Sequence, residues 1–404
     1  MSPKRYTLAL LALFLLMFTL VPATNWVVDP FWYFRNIEVR GFNLVKPSLH
    51  SYERLVKSAL MSKLHPEAVI LGSSFAEVGL PVTHAGFTSG GRLKSFNLSL
   101  PRAEGPEIYC YAQFALAQPG LKRLVLGGFN MEATPCARYP NLGKVDYVKL
   151  LLSKNAFGAA LETLRQQDSK DLFTADGMWS FRRYSESFRN DSDIMDNFAD
   201  GLMPHLCQAP QRNRELDYGR IDRSKAPEGE STAGLRQIIR LALRKNIQLI
   251  LIDFPKHVLS YEQDRECGRM EAYWSRLWRI ASIVEEEAGS DSRQVELWNF
   301  YGYRDLNAER IRAGIAMPGR LWQDAGHFNV EVGKVAFDAI FGSDRTFGRK
   351  VTTRDFDRLL AEGENERRAF LIKNSWVEQE LDEARQIAYR RTRGRSVQPS
   401  RPAP

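Results

Sequence analysis

Five short runs of this 404-residue chain are apolar nearly throughout: Ala68 to Leu71, Ser95 to Leu98, Leu121 to Leu126, Ile247 to Ile252 and Val295 to Trp298. An exposed-face strand alternates apolar with polar residues, whereas a strand covered on both faces does not. Helical patterns separate the runs. "EIYCYAQFALAQPG" follows the second, and "AGLRQIIRLALRKN" precedes the fourth with Leu235, Ile238, Ile239 and Ala242 on one face and Asn246 near its end. Strands alternating with helices imply an α/β fold with a parallel, doubly wound sheet, whose ligands bind at the carboxyl ends of the strands.

The N-terminus bears on the compartment. Lys4 and Arg5 precede "YTLALLALFLLMFTLVPA", about 18 uncharged residues from Tyr6 to Ala23, long enough to cross a bilayer. The flanking charge puts the N-terminus inside and everything after Asn25 outside. Two readings compete, an uncleaved anchor and a signal peptide cut after Ala23. The anchor is favoured, because the run passes directly into "NWVVDPFWYF", whose aromatic residues suit a membrane interface. Cys110, Cys136, Cys207 and Cys267 lack the close spacing of a zinc site; outside the cytoplasm they would form up to two disulfides of open connectivity, and otherwise they are buried thiols.

The net charge of +8 is uneven, since "RRTRGRSVQPSRPAP" holds five arginines and no acid. That end reads as a solvated basic tail over 390–404, with contact to anionic lipid or an acidic polymer as the sharper alternative. Nucleic acid is not an expected partner. From about 137 to 230 the strand signal fades into a charged, helical insertion that either caps the ligand edge or is a peripheral elaboration. "SWVEQELDEARQIAY" reads as a terminal helix with Val377, Leu381, Ala384 and Ala388 on one stripe. The expected organisation is a stub and anchor over 1–25, a membrane-proximal segment over 26–66, a catalytic α/β domain over 67–345, a helical extension over 346–389, and the tail.

Three motifs carry chemistry. In "AVILGSSFAEVG" a strand runs into Gly72, Ser73 and Ser74; a serine attacks when a base takes its proton and donors receive the oxyanion. In "RLWQDAGHFNVEVG", Asp324 and His327 stand three apart, a spacing that lets the carboxylate orient the ring; the plainer alternative is a surface Asp and a His capping the following helix. "KRLVLGGFNME" offers Gly128 and Asn130 after the third run.

In this order the motifs resemble the GDSL/SGNH superfamily of serine esterases and acyltransferases, and more closely its membrane-anchored extracytoplasmic branch, which includes the alginate acetylation proteins and the D-alanyl transfer protein of lipoteichoic acid. The resemblance spans roughly 69–341. It implies a three-layer α/β/α, flavodoxin-like domain with Ser74 as nucleophile, His327 as base and Asp324 as its orienter. Gly128, Phe129 and Asn130 match its Gly-x-Asn block, which makes the Asn130 side chain an oxyanion donor beside the Ser74 amide. The block supplying a further donor falls in "SFNLSLPRAEGPEIY", where Pro101 has no N–H to give. The Ser99 or the Arg102 amide is the expected substitute. Asn97 either lines the site or bonds the turn, and Ser73 shapes it. "ELWNFYGYRDLNAE" is similar to a Trp-aromatic segment of other anchored members; Trp322 either walls the site or sits in the core.

Asp253 and His257 in "LILIDFPKHVLSYEQ" form either a further acid-base pair or ordinary loop contacts. No Walker motif, dinucleotide fingerprint or His-Glu-x-x-His is present, so no metal or cofactor is expected. The resemblance implies acyl transfer or ester hydrolysis, with acetyl the expected group, on a cell-envelope polysaccharide, the acyl donor being a membrane-bound protein. The alternative is an inactive scaffold that binds glycan or an envelope assembly.

Overall fold

The computed structural model describes residues 3–129, 131–139, 142–168, 173–179, 190–212, 214–224, 230–289, 292–315, 319–342 and 346–396. All five apolar runs are strands: β1 (Ala68–Leu71), β2 (Ser95–Asn97), β3 (Arg123–Gly127), β4 (Gln248–Asp253) and β5 (Val295–Asn299). They lie parallel, in the order β2-β1-β3-β4-β5. The edge strand β6 (Arg349–Lys350) runs antiparallel to β5. It consists of two basic residues and carries no apolar signal. Continuous burial explains the continuous apolarity, since every side chain of β1 is buried.

The strand order sets where a ligand can bind. After β1 the chain goes to β2 on one side and then to β3 on the other, leaving a crevice at the carboxyl ends of β1 and β3. α3 (Ser74–Gly79) leaves β1 at that crevice. α4 (Gly105–Ala117) packs on β1 and β3, α8 (Glu230–Arg244) on β4, and α10 (Met270–Ala288) on β5. The stripe Leu235, Ile238, Ile239 and Ala242 of α8 is buried, and Asn246 takes φ +54°, the left-handed conformation that ends helices.

α1 (Pro3–Val28) is long and apolar enough to cross a membrane. α2 (Glu53–Leu64) precedes β1. The expected insertion supplies α5 (Tyr147–Leu151) and α6 (Lys154–Arg165), which pack on α1, and α7 (Asp191–Leu202). α9 (Val258–Glu266) follows β4, α11 (Val330–Phe341) follows the Asp-x-x-His motif, and α12 (Phe356–Lys373) and α13 (Trp376–Ser396) close the chain. Val377, Leu381, Ala384 and Ala388 are buried, and α13 packs on α7 and α9. This helix corrects the boundary of the basic tail: Arg390 to Ser396 remain helical, and Arg391 bridges Asp196 and Asp200 of α7. The acidic residues Asp196 and Asp200 of α7 thus take up one of the charges, Arg391, that made this stretch read as solvated.

The cysteines form two disulfides, Cys110–Cys136 and Cys207–Cys267. The first ties α4 to the segment after β3. The second ties the segment after α7, within the insertion, to the end of α9.

Candidate active site

Ser74 is the first residue of α3, so its N–H has no acceptor within the helix and points out of the crevice end with the helix dipole behind it. Its Oγ lies 2.8 Å from His327 Nε2. His327 Nδ1 lies 2.7 Å from Asp324 Oδ2. The structure therefore brings together, from 250 residues apart in sequence, the hydroxyl, imidazole and carboxylate named from the two motifs.

The loop that carries Asp324 and His327 is built to hold this line. Trp322 pairs with Phe328 in an antiparallel bridge, and Gln323 N donates to His327 O at 2.9 Å, which places the Asp and His at the tip of a tight turn. Asp324 Oδ1 accepts the Gly326 and His327 amides at 2.8 and 2.7 Å, while Oδ2 takes the ring. The helix that follows is capped by Asn329, whose Oδ1 accepts from Glu331 N and Val332 N. His327 is thus free of capping.

Burial opposes ionisation of Asp324, yet the His327 ring and the two amides outweigh it and hold the carboxyl below its usual 3.8. Burial likewise pushes the His327 ring down, but the Asp324 charge and hydrogen bond, with help from Glu77, raise it above 6.5. Glu77, on α3, is fully buried and receives the Lys57 ammonium, which also donates to Ser99 O at 2.7 Å. The Phe75 ring packs edge-on against the imidazole, centroids 4.7 Å apart.

The oxyanion assignments are changed in part. Ser99 is fully buried, and its N–H donates to Asn97 Oδ1 at 3.0 Å, so the expected Ser99 donor is already spent. Asn97 is structural: its Nδ2 donates to Ala76 O at 2.9 Å, tying β2 to α3. Trp322 is likewise in the core, its Nε1 bonded to Leu306 O at 2.7 Å. Asn130 lies outside the described residues. Gly128 takes φ +90°, a conformation that favours glycine, and Ile108 Cδ1 would lie 2.8 Å from an added Cβ.

Beside the triad is a cavity of about 300 Å³ at the ends of β1, β3 and β4. Ser73, Gly128, Phe75, Phe129 and Phe254 wall it, and Asp253, Lys256 and Arg276 reach it. A ring fits because Gly127 carries no side chain, since a Cβ there would lie 2.0 Å from the Phe254 ring. A larger cavity of about 810 Å³, lined by Arg123, Arg293, Lys350 and Arg354, opens at the other end of the strands, away from Ser74.

Asp253 and His257 do not pair. Asp253 accepts from Tyr273 and Asn299, while His257 is buried, caps α9 and bonds Glu309 O at 2.8 Å; burial lowers its pKa to about 4. Its backbone N–H supports the site by donating to Ala325 O at 3.1 Å. Among the described residues no group of three or more His, Cys, Asp or Glu is arranged to hold a metal ion. No family model matches the chain, and no curated protein and no solved structure matches it either.

Proposed function

We propose that this protein is a serine-dependent acyl-transfer enzyme of the SGNH type, anchored by α1 with its α/β domain outside the cytoplasmic membrane. The observation that carries the reading is the continuous line Ser74 Oγ, His327 Nε2, His327 Nδ1, Asp324 Oδ2, with contacts of 2.8 and 2.7 Å at the end of a central parallel strand. The two disulfides support an oxidising compartment. Lys4 and Arg5 before the apolar helix support an inside N-terminus.

In this reading Ser74 Oγ attacks an ester carbonyl as His327 Nε2 takes its proton, and Asp324 stabilises the imidazolium. The tetrahedral oxyanion is received by the Ser74 amide and, following the motif resemblance, by the Asn130 side chain. Collapse breaks the ester C–O bond, the departing alcohol takes the proton from His327, and the acyl group stays on Ser74. Water or a sugar hydroxyl then repeats the sequence in reverse, giving an esterase or an O-acyltransferase. A cell-envelope glycan as acceptor or substrate, acetyl as the group, and a membrane-bound donor protein follow from the resemblance alone.

The test is fluorophosphonate labelling of the full chain together with hydrolysis of aryl acetates. Ser74→Ala is expected to abolish labelling and to lower turnover by about six orders of magnitude with the fold intact. Equal labelling of wild type and Ser74→Ala would remove Ser74 as nucleophile, and inertness of the wild type combined with glycan binding would favour the scaffold.

A further inference from the structure

The end of α1 is not a loose tether. Asn25 Nδ2 donates to Leu151 O at 2.8 Å and to Ser153 O at 3.3 Å, which holds the α5–α6 connection against the helix. Asn43 Nδ2 donates to Val27 O and Val28 O, and Lys46 Nζ to Val28 O at 2.8 Å, closing the last carbonyls of α1. The body therefore sits at a fixed height on the helix. Residues 3–20 are exposed along their whole length, partial burial against the body begins at Val21, and Asn25 is the first fully buried residue of the helix. That step is about 6 Å along the axis.

Exposed apolar side chains gather at this height. Outside residues 3–20, most of the large exposed hydrophobics among the described residues lie in segments fastened to the end of α1: Trp26, Val39, Leu44, Tyr147, Val148 and Leu152. Val148 is 67% exposed on α5, none of whose residues is buried. Lys144, Lys149 and Lys154 are exposed in the same stretch. Behind it opens an apolar cavity of about 300 Å³, walled by Phe31, Tyr33, Tyr52, Leu55 and Val56, with Lys144 and Lys149 also lining it. A soluble surface seldom concentrates apolar area in this way without a partner.

We infer that α5 and its flanks form a second membrane contact: the outer leaflet of the bilayer that holds α1 covers Tyr147, Val148, Leu152 and Trp26, with the lysines at the headgroup level of anionic lipid. The occupant is argued from continuity, since the patch adjoins the one helix among the described residues long and apolar enough to span. Charge and composition agree, aromatic and aliphatic groups on one side and lysines beside them being the pattern of an interfacial helix. The inference rests on α1 being a membrane anchor. Its consequence is orientation: α2, whose Leu55 and Val56 wall the cavity, also places Lys57 against Glu77 of α3, so the lipid contact and the Ser74 helix share one rigid support.

The experiment uses the full chain in vesicles of phosphatidylcholine with phosphatidylglycerol. The four native cysteines are paired, so Val148→Cys and, on the remote α12, Ile372→Cys (85% exposed) can each be labelled with an environment-sensitive dye. Alkaline carbonate extraction reports separately whether α1 is inserted. With α1 inserted, lipid bearing a shallow spin label is expected to quench the dye at 148 roughly twofold, the depth of an interfacial helix, and to leave 372 unchanged. Equal, unquenched emission at both positions in carbonate-resistant protein overturns the second contact while leaving the anchor standing. Release by carbonate overturns the anchor and the contact together. Tyr147→Ser in the 148-labelled protein serves as a further check, the expected result being reduced quenching.

Discussion

The Asn197 side chain on α7 donates to Gln323 O at 2.6 Å, one residue before Asp324. Gly201 of the same helix comes close to the Asp324 side chain, 3.4 Å from an added Cβ. The insertion thus buttresses the loop that holds His327, which is also held by His257 N donating to Ala325 O. Asn197→Ala removes one buttress and no reacting group. The expected result is a fall in kcat of about ten- to a hundredfold, the cost of a small misplacement, with KM little changed and stability lower by about 1 kcal/mol. Steady-state kinetics beside a thermal melt read both; an unchanged kcat would show that α7 does not position the loop.

His327 must be neutral to accept the Ser74 proton, and its pKa is raised above 6.5. Activity toward an aryl ester therefore falls on acidification with a midpoint above 6.5. Asp324→Asn removes the charge that raises the ring, leaving burial to lower it, so the acid limb moves to lower pH while the plateau drops by about four orders of magnitude. The stability signs differ between the two histidines. A raised His327 pKa contributes stability that is full below 6.5 and lost as pH rises through its folded value. His257, lowered to about 4, stays neutral while its unfolded counterpart protonates, so stability falls as pH drops from 6.5 toward 4. Chemical denaturation across pH separates these, and His257→Gln is expected to flatten the acid side alone.

Much of this site is legible because its parts leave local marks. Five runs apolar on both faces announce a covered parallel sheet, and the hydroxyl at the end of the first run announces the crevice. The Asp-to-His spacing of three announces a turn able to orient a ring. What failed depends on partners remote in sequence. The Ser99 amide is spent on Asn97, which no spacing rule reveals, and Asn329 rather than His327 caps α11. Arg391, inside the stretch that read as a solvated tail, finds its partner in Asp200 of α7, 191 residues earlier. β6 is specified by its neighbour β5 and not by its own two basic residues.

The disulfides predict a redox dependence of stability. Cys207–Cys267 closes a 60-residue separation and fastens the insertion to α9, whereas Cys110–Cys136 closes 26. Chain-entropy reasoning gives an upper figure of about 4 kcal/mol for the longer loop and slightly less for the shorter. Cys207→Ser with Cys267→Ser is expected to lower the melting temperature by several degrees and, because α7 belongs to the segment released, to lower turnover as well. Cys110→Ala with Cys136→Ala is expected to lower stability with a smaller effect on turnover. Equal effects of the two pairs on kcat would separate the insertion from the site.

The buried group behind Ser74 gives the sharpest stability prediction. Lys57, Glu77 and Glu53 are all fully buried, with Lys57 Nζ on Glu77 and 3.9 Å from Glu53. Burial pushes Glu53 up to about 9 against the pull of Lys57, so at neutral pH Glu53 is a neutral acid and the close ion pair is that of Lys57 with Glu77. Lys57→Met leaves Glu77 without its counter-charge, at an expected cost of about 3–5 kcal/mol. An unpaired buried carboxyl has a raised pKa, so its folded form is favoured below the unfolded value and disfavoured as pH rises; the loss should accordingly be larger at about pH 8 than at about pH 5. Lys57→Met with Glu77→Gln removes both charges and is expected to recover most of the loss. Denaturation midpoints for the two variants at both pH values decide it: a double variant as unstable as the single one would mean that Lys57 contributes through packing and its bond to Ser99 O, and not by neutralising the carboxylate behind Ser74.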